Sequence, residues 1–138
     1  MIRATRYHDI SCGHRVVGHE GKCANLHGHN YRVHFTCEAP AVDTLGRVID
    51  FSVIKRRLCM WLEDEWDHRM LMWADDPLHA YVRDIDRSVV KVPFNPTAEN
   101  MAEYLVTVVR PEALEGTSVR LVEVTVEETR KCSATYSL

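Results

Sequence analysis

Apolar and polar residues alternate over "NYRVHFTCE", residues 30–38. Tyr31, Val33, Phe35 and Cys37 fall on one side, Arg32, His34, Thr36 and Glu38 on the other. A period of two is that of a half-buried strand. The turn-rich "APAVDTLGR" leads on to "VIDF", so the pattern predicts a hairpin over residues 31–50. Helical spacing then takes over. Ile54, Leu58, Trp61 and Leu62 share one face after Asp50 and Ser52, either of which can cap, and this predicts a helix over 52–65. A second helix is expected to start in "NPTAEN", with Thr97 as cap, Glu99 at the positive end of the dipole, and Met101, Leu105, Val108 and Val109 as its stripe. It should stop at Arg110-Pro111. "TSVRLVEVTVEET" reads as a long strand and "SATYS" as a short last one.

These elements predict an α+β fold, an antiparallel four-stranded sheet with two helices on one face. So small a sheet leaves its edges exposed unless something covers them, and subunit association is one remedy. At 138 residues, without repeat, linker or low-complexity tract, the chain is expected to form a single domain over 1–138. The net charge of −3 gives no electrostatic reason to expect nucleic acid or an anionic membrane as partner. "MIRATRYHDI" lacks the apolar run of a signal peptide, and no stretch approaches a membrane span. Five cysteines, an odd number with no CxxC pair, do not form a disulfide framework, so a cytoplasmic, reducing compartment is expected.

The candidate chemistry begins with "KCANLHGHNYRVHF", residues 22–35. His27 and His29 are two apart, hence on one side of a strand, and Gly28 between them lets backbone approach. His14, in "ISCGHR", can join them if the chain returns antiparallel through "GHEGKCAN". Three imidazoles suit Zn²⁺ and leave its fourth position open, the mark of a catalytic site. Two plainer outcomes stand beside this one. The histidines can be ordinary surface residues, or Cys23 can be a fourth ligand that closes a structural site. His19 and His34 compete for the third place, although His34 has the wrong strand parity.

Two further groups matter. "WDH" sets Asp67 directly before His68, and a carboxylate that orients a histidine is what proton traffic needs. Glu128 shares the parity of Val122, Val124 and Val126, where a carboxylate must be paired, bind something, or escape past the strand end.

"GHR", "CANLHGH", "VIDF", "WDH", "NPTAEN" and "VTVEET", in this order along nearly the whole chain, resemble the 6-pyruvoyl-tetrahydropterin synthase family. The gap of three residues between Cys23 and His27 is most similar to its bacterial branch, the 6-carboxytetrahydropterin synthases of queuosine and 7-deazapurine biosynthesis. The resemblance implies that His14, His27 and His29 bind catalytic zinc and that Cys23 transfers protons in a relay with Asp67 and His68. It further implies that Glu128 holds the pterin edge and that Thr97 lines the pterin pocket. The implied fold is the tunnelling fold, whose subunits join sheets into a barrel, with trimers pairing into a homohexamer and active sites at subunit interfaces.

The implied reaction takes 7,8-dihydroneopterin triphosphate, a small-molecule substrate, to 6-carboxytetrahydropterin, acetaldehyde and triphosphate. Its rivals are elimination halted at 6-pyruvoyl-tetrahydropterin and a non-catalytic oligomer stabilised by zinc. Lys22, Arg15 and Arg69, neighbours of site residues, are the first candidates to meet the triphosphate. Cys12 stands where relatives carry small residues, and residues 74–92 carry no recognisable signature.

Overall fold

The first strand, β1 (Ile2–His14), and the second, β2 (His27–Ala39), pair antiparallel over their full length, from Ile2 opposite Ala39 to His14 opposite His27. The computed structural model describes residues 1–110 and 114–138. Two short strands, β3 (Leu71–Trp73) and β4 (Val90–Val92), form a separate parallel pair. The long strand β5 (Arg120–Glu127) adds to β2, and β6 (Ser133–Ser137) to β5, giving the order β1-β2-β5-β6 with every pairing antiparallel. This is the expected four-stranded sheet.

The expected hairpin over 31–50 does not form. The strand beside β2 on that side is β1, and residues 40–50 are a loop. Asp43 organises it, its Oδ1 accepting the N–H groups of Leu45 and Arg47 at 2.9 Å each. Gly46 takes a left-handed φ of 88° that other residues adopt at a cost. Val48 and Ile49 pack on the core from the loop, so the apolar "VIDF" reports burial and not a strand.

One face of the sheet buries Ile10, Cys12, Tyr31, Val33, Phe35, Val124 and Val126 against helices. The first helical run is α1 (Phe51–Ile54), a π turn (Lys55–Cys59) and α2 (Met60–Glu65). Asp50 caps it, accepting the Ser52 N–H. The last is α4 (Ala98–Tyr104), continued by a π turn (Leu105–Val109) and capped by the Thr97 hydroxyl, which accepts the Asn100 N–H. The π turn widens the helix by one residue and rotates the following face. Val106 is therefore buried, while Val108, expected in the stripe, is 50% exposed. Arg110 continues this helix, and Pro111 of the expected stop lies outside the described residues. Between β3 and β4 the stretch without signature folds as a short helix, α3 (His79–Ile85), so the described residues have one more helix and one more strand pair than the periodicity predicted.

After α2 the chain climbs along the outer edge of β1. His68 N–H donates to the Ser11 carbonyl at 2.6 Å and Gly13 N–H to the Arg69 carbonyl at 2.9 Å, covering the edge opposite Ser11–Gly13. Over the rest of β1, and along β6, no further strand pairs the outer edge among the described residues. No helix among them is long and apolar enough to cross a membrane.

Candidate active site

The cross-strand register sets His14 opposite His27 and Cys12 opposite His29, with all four side chains on the core face. Gly13 faces Gly28 on the other side. A Cβ on Gly28 would come within 3.0 Å of the Cys12 carbonyl oxygen, so the two backbones approach here as only glycine permits.

The three imidazoles converge: one ring nitrogen of each of His14, His27 and His29 lies within 4.8 Å of the other two. His14 and His27 bring their Nε2 atoms to 3.1 Å of each other. Each Nδ1 is taken by a backbone carbonyl at 2.6 Å, Pro96 for His14 and Asn25 for His27. An Nδ1–H that donates to a carbonyl fixes the tautomer and leaves the Nε2 lone pair aimed into the site. Burial is the main force lowering the pKa of His14, against the Pro96 hydrogen bond, and burial likewise lowers that of His29. Neutral imidazoles are the form that ligates. Glu128 Oε1 lies 3.1 Å from His29 Nε2 but out of line for a hydrogen bond, so His29 Nε2 is buried without a partner. Two lone pairs at 3.1 Å and an orphaned third nitrogen fit a cation at their centre. The arrangement can hold a metal ion.

The competing ligands fall elsewhere. His34 is on the outer face, 2.6 Å from Glu127 Oε2, and His19 Nδ1 accepts the Gly21 N–H within the loop between β1 and β2. Cys23 is outside the histidine cluster. It sits half-buried in a 3₁₀ turn (Lys22–Ala24), its carbonyl accepting the Val16 N–H at 2.8 Å.

Tyr31 backs the cluster from below. Its ring meets those of His14 and His29 edge-on, at centroid distances of 5.9 and 5.4 Å, and its hydroxyl lies 3.3 Å from His14 Nδ1. Burial, with Cys12, Glu128 and Cys23 as negatively ionising neighbours, pushes the Tyr31 pKa far up. Burial also pushes the Cys12 thiol up to about 12, Asp67 adding to it, so Cys12 is an inert packing residue.

Asp67 and His68 lie on the other face. Asp67 Oδ1 accepts the Ser11 N–H at 2.9 Å, and its Oδ2 lies 2.9 Å from His68 Nδ1, an ion-pair contact. Partial burial opposes ionisation of Asp67, but the Ser11 N–H and His68 outweigh it and hold its pKa below the usual carboxylate range. His68 adopts φ 59°, a left-handed conformation that a residue with a Cβ holds only when its surroundings impose it. Its side chain is 81% exposed and borders a cleft of about 540 Å³ with Ser11, Asn30 and Arg32. No hydrogen bond joins Cys23 to Asp67 or His68 among the described residues. Glu128 reaches the histidines at the end of β5 instead of escaping to water. Thr97 caps α4 directly after Pro96, the residue that holds His14.

Several participants lie within "CANLHGH" and "NPTAEN" without having been singled out there. Asn25 and Pro96 act through carbonyl oxygens, which sequence does not advertise. Asn95 clamps Val17 with two 3.0 Å bonds, its side chain accepting the Val17 N–H and donating to the Val17 carbonyl. Arg15 is occupied by Asp76 at 2.7 Å and by the Ala24 carbonyl at 2.9 Å.

Residues 3–138 match the family model described as 6-pyruvoyl tetrahydropterin synthase. A Rickettsia typhi protein named 6-carboxy-5,6,7,8-tetrahydropterin synthase is 34% identical over 134 residues, 96% of this chain and 97% of its own length. The solved structure of Caenorhabditis elegans 6-pyruvoyl tetrahydropterin synthase aligns with a TM-score of 0.73 at 26% identity, covering 99% of this chain and 95% of that one. An uncharacterized Wolinella succinogenes protein aligns with a TM-score of 0.86 at 22% identity, covering 99% and 97%, a likeness of fold alone. The chain belongs to the 6-pyruvoyl tetrahydropterin synthase family.

Proposed function

We propose that this member of the 6-pyruvoyl tetrahydropterin synthase family is a zinc-dependent carbon–carbon lyase, a 6-carboxy-5,6,7,8-tetrahydropterin synthase of queuosine biosynthesis. It converts 7,8-dihydroneopterin triphosphate to 6-carboxytetrahydropterin, acetaldehyde and triphosphate. The observation that carries the reading is the convergence of three imidazoles, two of them fixed at Nδ1 by backbone carbonyls, with the Cys23 thiol outside their cluster. The near-full-length relatives that bear this activity's name support it.

Zinc suits the donor set. Tetrahedral Zn–N bonds of about 2.0–2.1 Å place two ligand nitrogens about 3.3 Å apart, against 3.1 Å between the Nε2 atoms of His14 and His27. When bound by His14, His27 and His29, zinc supplies positive charge that acidifies hydroxyl groups of the substrate side chain. The protein's residues do the rest. Glu128 accepts paired N–H groups of the pterin edge, and Thr97 lines the same pocket. Cys23 takes a proton from the side chain and returns one to the ring. Asp67 holds His68 through Nδ1, leaving Nε2 to exchange protons with the thiol or the substrate.

The outer edges of β1 and β6 support assembly through sheet edges into a barrel, with trimers pairing into a homohexamer. In that assembly the exposed His68 of one copy serves the pocket of another, which accounts for a relay and a histidine cluster on opposite faces of the sheet. Five free cysteines fit a cytoplasmic, reducing setting.

Product analysis of the metal-loaded protein with 7,8-dihydroneopterin triphosphate tests the reading. Acetaldehyde and a one-carbon carboxyl substituent are expected. A retained three-carbon side chain would make the chain a 6-pyruvoyl-tetrahydropterin synthase. Bound zinc without turnover would leave a non-catalytic oligomer.

A further inference from the structure

Asp76 is a buried carboxylate that the proposed chemistry does not use. Its side chain is fully buried, and Oδ2 lies 2.7 Å from Arg15 Nε while Oδ1 accepts the Leu78 N–H at 2.8 Å. Arg15 extends its other arm to the Ala24 carbonyl, Nη1 donating at 2.9 Å. Ala24 follows Cys23 directly, and the Cys23 carbonyl accepts from Val16, the neighbour of Arg15.

The loop carrying Cys23, residues 15–26, has no fully buried residue, so it sends no side chain deep into the core. Polar anchors hold it instead: Arg15 to Ala24, Val16 to Cys23, and Asn95 to Val17. Of these only the Arg15 arm ties the far end of the loop to a charged group inside the protein. A buried ion pair adds little net stability compared with an apolar pair of the same volume, so stability alone does not account for this one. Removing the carboxylate leaves a desolvated guanidinium that must turn to water and release Ala24.

We propose that Asp76, acting through Arg15, is a positioning residue for the Cys23 thiol. The inference rests on the reading of Cys23 as the proton-transfer residue. Its geometric half, that the pair sets where the thiol sits, is tested apart from that reading.

Asp76→Asn and Arg15→Lys are compared with the parent protein in three measurements: metal per chain, iodoacetamide labelling of Cys23 by peptide mapping with exposed Cys132 as internal reference, and steady-state turnover. Both variants are expected to keep their metal, to change Cys23 labelling about fivefold or more, and to lower kcat about 10–100-fold with KM within about threefold. Arg15→Gln combined with Asp76→Asn should lose no more than either alone, since the two act as one unit.

Unchanged labelling and kcat would overturn the proposal. A raised KM at constant kcat would make Arg15 a substrate ligand. Activity that falls only as metal is lost would make the pair a support of His14. If Asp76→Asn fails to fold, Arg15→Lys, which keeps the charge and loses only the second arm, decides alone. Full turnover in Cys23→Ala would remove the chemical role of Cys23, while the labelling result would still judge the brace.

Discussion

The two faces of the β1–β2 ladder carry histidines held in opposite ways. On the core face, His14 and His27 are bound at Nδ1 by backbone carbonyls and backed by the ring of Tyr31. On the outer face, His68 is held by a carboxylate at Nδ1, stands on a left-handed backbone and projects into solvent. A carbonyl fixes the tautomer, while burial is what favours the neutral, ligating form of His14. A carboxylate stabilises the imidazolium and so permits a change of protonation state. The partners thus separate a cluster that can hold an ion from the histidine to which the proposed reading gives proton transfer, although both lie a few residues from one ladder.

The comparison breaks most sharply at the ligands. His27→Ala should reduce bound metal from about one per chain to below about one tenth and abolish turnover, by about a thousandfold or more. Metal analysis and an acetaldehyde assay check this. Cys23→Ala should keep the metal and lose turnover by about 10²–10⁴-fold. Metal lost with stability in that variant would instead make Cys23 a ligand. Asp67→Asn, which keeps an acceptor for Ser11, should lower turnover about 10–100-fold at full metal content.

The same carboxylate has a stability signature. Folding depresses the Asp67 pKa, so its contribution is fully present above the unfolded carboxyl value of about 3.9 and is lost as pH falls through the lower folded value. Urea melts of the parent and Asp67→Asn should therefore differ at pH 7 and converge as pH falls below the unfolded carboxyl value and through the folded one. The smallest effect belongs to Thr97→Ala, which removes the α4 cap and should cost about 1 kcal/mol. Thr97→Ser, which keeps the cap, should recover it. If Thr97 also lines the pterin pocket, its Ala variant will raise KM as well.

Much of this was legible before folding. The period of two through Tyr31–Cys37 and the caps Asp50 and Thr97 stood in the chain as written, because each depends on neighbours close in sequence. The partner of β2 was legible only at one end, where an antiparallel return through "GHEGKCAN" could bring His14 beside His27. "VIDF" offered an apolar segment next in sequence, but β1 could match all thirteen residues of β2 and bury a continuous face. The side of Val106 and Val108 was hidden too, since a π turn resets helical phase without a residue type to announce it. The stretch 74–92 lacked a signature, yet it contains Asp76, whose function depends wholly on where Arg15 arrives.

By itself the sequence determined that His27 and His29 share a side, that Asp67 adjoins His68, and that Glu128 lies on an apolar parity. The period of a strand enforces the first and the last, and chain adjacency the second. Only the tertiary structure decided that His14 closes the cluster, that Pro96 and Asn25 lock its rings, and that Asp67 and His68 stand on the opposite face. Those facts depend on which backbones meet across long stretches of chain, and carbonyl oxygens, being common to every residue, leave no mark in the sequence that would tell which of them will matter.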